Sequence, residues 1–153
     1  MATRTGEEIN VSKLSEVVEE NRATLDTYLD NLTRLSLIIR LGSWTPGEGR
    51  RETKDTKYHF ADTGKAFALR HFNERSFAAG QRNSTALGGL LESFVLGELT
   101  QVQPLLEQEC RLYNWQNAEG REIDTLAESP DNFVGLAVKE STSVSCGDFR
   151  HLK

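Results

Sequence analysis

The chain has 153 residues, 37% hydrophobic and 27% charged, with a formal net charge of −5 and a pI near 5.3. That length carries one ordinary domain or two small ones with a real core, and the charge excludes a general basic field that would draw nucleic acid. Two cysteines without metal-ligand spacing, no apolar leader in residues 1–5 and no apolar run long enough to span a bilayer lead us to expect a cytoplasmic protein with free thiols.

In chain order, Leu14, Val17 and Val18 predict a first helix over 12–18, capped by Asn10 or Ser12 and closed by a turn at 19–21. A second helix over 22–35 places Leu25, Tyr28, Leu29, Leu32 and Leu35 on one stripe. Residues 37–41 read as a strand and 58–61 as its return, with a glycine-rich charged loop between them. Two helices followed by a charged two-stranded ribbon form a winged-helix pattern.

From Thr63 the pattern changes. A short helix is predicted over 64–72 and a polar stretch over 73–84. A long helix follows over 87–109, with Leu90, Leu91, Phe94, Val95 and Leu99 apolar and Pro104 as a break. Three strands are expected over 111–115, 121–128 and 133–140, the first two joined by a hairpin turn at 117–120. The segment 72–86 holds the boundary, which gives two parts, 1–72 and 73–153.

Three constellations carry chemistry. In a DNA-reading helix-turn-helix, the second helix enters the major groove. The candidate contacts are Arg22 on that helix and Arg50, Arg51 and Lys54 on the wing, where Lys57 adds a further charge. Over residues 7–35, however, seven acids face three bases, a field that repels phosphate and favours packing on a protein neighbour. The second constellation, Asp62-Thr63-Gly64-Lys65, is not a phosphate loop, because His59 and Ala66 stand where Gly and Ser/Thr are required. It reads as a strand-to-helix cap. The three histidines have no partners in sequence and read as packing residues.

The third constellation pairs Asp124 on one strand with Ala137-Val138-Lys139 on the next. An Asp and a carboxylate-x-Lys would hold a divalent ion beside a phosphodiester, but here the second carboxylate is Ala137. On a regular strand Ala137 and Lys139 share a face, and Glu140 reaches it only through a bulge or a register slip. Glu92 on the long helix approaches Asp124 from behind the sheet.

Taken together, Tyr58-His59-Phe60-Ala61-Asp62-Thr63-Gly64, Gly89-Leu90-Leu91-Glu92-Ser93-Phe94-Val95 and Leu112-Tyr113-Asn114-Trp115 through Gly120-Arg121-Glu122-Ile123-Asp124 carry a resemblance. They resemble the C-terminal domain of unknown function that follows AAA+-type ATPase modules in bacterial and archaeal predicted ATPases. Residues 9–11 and 24–35 resemble the winged helix that links the two. The resemblance implies a PD-(D/E)xK nuclease-like fold with Glu92, Asp124 and Lys139 as site positions. The chain departs from that pattern in having no ATPase module, in Ala137, and in ending where a further strand is usual, which leads us to expect a truncated or separated fragment.

The reading is therefore an α/β (α+β) protein, a winged-helix segment followed by an incomplete restriction-endonuclease-like α/β domain. Its expected role is that of a non-catalytic partner of an ATPase module or another protein, without cofactor or membrane. One alternative is a DNA-binding module acting through Arg22, Arg50, Arg51 and Lys54. The other is a weak nuclease using Glu92, Asp124 and Lys139, with Mg²⁺ at Asp124.

Overall fold

Two asparagines start the first two helices. Asn10 accepts from Lys13 N at 3.1 Å and opens α1, Val11–Val18; Asn21 accepts from Thr24 N at 2.8 Å and opens α2, Arg22–Arg34. Each cap satisfies a backbone donor that the helix itself leaves unpaired. The computed structural model describes residues 5–46, 56–72 and 85–139. Within them the fold is α+β, helices with antiparallel sheets, and no described helix is long and apolar enough to cross a membrane.

After α2 come β1, Ile38–Leu41, and β2, Lys57–Phe60, paired antiparallel from Ile38 opposite Phe60 to Leu41 opposite Lys57. The N-terminal segment runs along the other edge of β2, with Glu8 bridging Lys57 and Gly6 N donating to Tyr58 O at 3.1 Å. With β2 held on both edges, side chains on both of its faces are buried. Tyr58 joins Ile9, Leu29 and Ile38 in a core against the helices, while Lys57 and His59 point the other way.

The predicted stripe of α2 is narrower than expected. Leu25 and Leu29 are buried, but Tyr28 and Leu35 are 52% and 69% exposed. At 3.6 residues per turn those two lie roughly 60–80° round the helix from Leu25, beyond the face that α1 and β1 cover.

Asp62 then accepts from Lys65 N at 3.1 Å and starts α3, Thr63–Leu69. The long helix α4, Thr85–Val102, packs on α3 and β2 and passes into a 3₁₀ turn, Gln103–Leu105, at Pro104. Its buried face is Leu90, Ser93 and Leu96, whereas Phe94, read as part of the apolar set, is 52% exposed. Gly89 is the point of closest approach, since a Cβ there would run into the Thr5 carbonyl.

The second sheet has the order β3-β4-β5: Arg111–Gln116, Glu122–Glu128 and Phe133–Leu136. The β3–β4 turn closes as expected, with Asn117 Oδ1 accepting from Arg121 N at 2.8 Å and Gly120 at φ 78°. A parallel bridge from Ser43 to Asn114 joins the two sheets; Asn114 also donates from Nδ2 to Leu41 O at 2.8 Å.

The last strand is a correction. It was expected over 133–140, but its pairing with β4 ends at Leu136, opposite Thr125. Ala137, Val138 and Lys139 lie beyond the ladder, and Glu140 lies outside the described residues.

Two glycines on one helix separate approach from propensity. Gly89→Ala is expected to push residues 5–9 off α4 and lower stability by about 2 kcal/mol. Gly88→Ala, whose Cβ meets open space, should stabilise by up to about 1 kcal/mol. Urea unfolding of both variants checks the opposite signs.

Candidate functional site

Asp124 owes its position to a bulge. The β3–β4 register slips between Tyr113 and Trp115, so Asp124 and Thr125 together stand against Asn114. Strict alternation would put one of the pair outside; instead both are 3% exposed. One carboxylate oxygen, Oδ2, accepts the Val138 N–H at 2.7 Å. The side chain thus takes over where the β4–β5 backbone ladder stops. The other, Oδ1, is buried without a hydrogen-bond partner among the described residues.

Glu92 reaches the same place from α4. Burial first, then the Asp124 charge, pushes its carboxyl up to about 7; Glu122 adds to the rise, while Lys57 and Lys139 oppose it. Of the three residues named from sequence, Asp124 and Lys139 thus each bear on Glu92, and Lys139 is exposed.

The structure adds two residues that the sequence reading did not place here. Lys57, read as a wing charge, has a side chain only 7% exposed, with Nζ 3.6 Å from Glu122 Oε2. Glu122 sits at the start of β4, two residues before Asp124. Period two on β2 was the available signal, since it sets Lys57 beside His59 on one face.

His59 forms the floor. It is 2% exposed, and its Nδ1 is 3.0 Å from Ser93 Oγ. Ser93 commits its proton to Gly89 O at 2.6 Å, so the His59 contact is Nδ1–H donating, which leaves Nε2 as the acceptor. Nε2 is buried without a partner among the described residues. Thr5 Oγ1 completes the strut, 2.7 Å from Ser93 Oγ while accepting Phe60 N at 3.0 Å. Burial, and then the Lys57 charge, hold the imidazole at about 4, so it is neutral at pH 7. With Ser93 hydrogen-bonded to its own helix and fully buried, the pair braces β2 against α4; it does not form a nucleophile and base.

The donor set does not fit a divalent ion well. Among the described residues no three His, Cys, Asp or Glu groups stand together to hold one. Ala137 offers no oxygen from its side chain, one oxygen of Asp124 is already engaged, and a buried ammonium stands beside the acids.

The DNA candidates are elsewhere. Arg22 is exposed and 3.7 Å from Asp26. It lines a cleft of about 570 Å³ with Asp26, Asp30 and Arg40, and Arg40 is 3.6 Å from Asp30. Arg50, Arg51 and Lys54 lie outside the described residues.

Comparison with known proteins divides the chain in two. Residues 1–76 match a domain of unknown function, DUF8612, and residues 87–153 match a second, DUF4143. Two curated relatives, uncharacterized proteins of Mycobacterium bovis and Mycobacterium tuberculosis, are each 27% identical over 140 residues. Those matches cover 92% of this chain and 30% of each relative, so the chain spans under a third of their length. No solved structure matches it.

The two shifted groups set opposite pH trends. Glu92 ionises near 4.5 when unfolded and near 7 when folded, so its share of stability is lost as pH rises through that window. His59 takes a proton near 6.5 when unfolded and near 4 when folded, so its share is lost as pH falls between them. Glu92→Gln is therefore expected to raise stability at pH 8 by up to about 3 kcal/mol, with little change at pH 4.5. Denaturant unfolding across pH 4–8 reads both effects.

Proposed function

We propose that this chain is a non-catalytic interaction module of an AAA-type ATPase system, a winged helix over 1–72 leading into a nuclease-like domain that does not cleave. Support for the ATPase link comes from DUF4143, a domain commonly associated with AAA-type ATPases. The observation that carries the non-catalytic part is Asp124, whose carboxylate ties down the Val138 N–H beside Ala137. A metal-binding Asp presents its oxygens to the ion and water; here one oxygen is spent on the backbone where the second ligand would stand.

The DNA-binding alternative gains little support from the described residues, because the acids flanking Arg22 and Arg40 keep their cleft near neutral. On this reading the partner is an ATPase module or another protein in the cytoplasm.

Incubation of the purified chain with single- and double-stranded DNA or RNA in Mg²⁺ or Mn²⁺ is expected to leave the substrates intact. Cleavage that disappears in Asp124→Ala would overturn the non-catalytic assignment. In the same preparation we expect no DNA retention at low salt. Retention lost on changing Arg22, Arg50, Arg51 and Lys54 to Glu would establish the DNA-binding alternative instead.

A further inference from the structure

The three-stranded sheet has one edge closed and one bare. On the β3 side, Asn114 N donates to Gly42 O at 2.9 Å and Trp44 N to Asn114 O at 2.8 Å. On the outer side of β5, no described residue pairs with Phe133–Leu136. Phe133 and Val134 are 57% and 56% exposed, although successive residues of a strand point to opposite faces. Bare edges are normally blunted by a proline, a charge or a bulge, and the run Phe133-Val134-Gly135-Leu136 carries none of these. We propose that β5 is a self-pairing edge, joined antiparallel to β5 of a second copy of this chain about a two-fold axis at Gly135.

Register and charge both favour a second copy as the occupant. Val138 turns its N–H towards β4, where Asp124 accepts it. N–H direction alternates along an extended chain, so Phe133, Gly135 and Ala137 turn their backbone groups to the open edge. Pairing centred on Gly135 sets Phe133 against Ala137 of the second copy and Val134 against Leu136, apolar on both faces. The same register sets Asp131 against Lys139 of the second copy, and the symmetry repeats that pair at the other end. Both residues are exposed. An acid at 131, a base at 139 and apolar residues between them complement themselves only when the second strand runs the opposite way.

Sedimentation equilibrium of the full chain, over a wide concentration range, tests the pairing. So short an edge buries little area, and a reversible dimer with a Kd of about 10–100 μM is expected. Asp131→Lys or Lys139→Asp alone should weaken it about tenfold, because each change breaks both symmetric pairs. The double exchange should restore it. Gly135→Pro removes an N–H that faces the open edge, so it should abolish the dimer and leave the circular dichroism unchanged. Amide exchange at Phe133, Gly135 and Ala137 should slow as concentration rises.

A wild type that stays monomeric throughout would overturn the inference. So would a dimer indifferent to these substitutions, or amide protection that does not vary with concentration, as a strand of the same chain on that edge would give. Should Gly135→Pro not fold, the charge exchange decides: a double variant no tighter than the single ones overturns the pairing.

Discussion

A lysine ammonium buried between β2, α4 and β4 sets the terms for everything around it. Moving such a charge out of water costs several kcal/mol unless oppositely charged groups meet it in good geometry. Glu122 meets Lys57 directly, Glu92 feels the charges of Lys57 and Asp124, and burial, with the Lys57 charge behind it, keeps His59 neutral. The members are not equivalent: losing Lys57 leaves Glu122 without its ion pair, whereas neutralising Glu92 relieves a buried acid, so the group is tied together through Lys57. It also joins the two halves of the chain, because Lys57 and His59 come from the first and their partners from the second.

That arrangement demands close backbone approach. Gly89 lets the Thr5 backbone lie against α4, which brings the N-terminal segment to the edge of β2 and leaves Lys57 little route to solvent. On the far side the β4 bulge turns Asp124 inward, and the Asp124–Val138 hydrogen bond stops the β5 ladder at Leu136. Ala137 is thus the residue at which a strand gives way to a side-chain cap. Its methyl group suits that place, where a second buried carboxylate would add charge to an acidic cluster.

Local signals made much of the fold legible. Asn10, Asn21 and Asp62 announced helix starts, and the 117–120 turn announced a hairpin, because capping and turn chemistry act over a few residues. The resemblance named Glu92 and Asp124 as site positions, and in the structure the Asp124 charge acts on the Glu92 carboxyl. Lys57 was not, because a lysine beside a charged loop reads as solvated until the strands on both sides of β2 are known. The bulge at Asp124 and the early end of β5 depend on pairing partners many residues away. The exposure of Phe94 and the burial of Leu96 depend likewise on how α4 meets β2.

The central claim is that Asp124 is tied to the backbone at Val138 and that this acidic region, with Lys57 beside Glu122, takes no divalent ion. The most direct measurement is a crystal structure of the wild-type chain soaked in MnCl₂, read in the manganese anomalous map. The account predicts no anomalous peak among Glu92, Glu122 and Asp124, with the Lys57 ammonium beside Glu122. A manganese peak bound by Asp124 and Glu92, with Lys57 displaced, would contradict it.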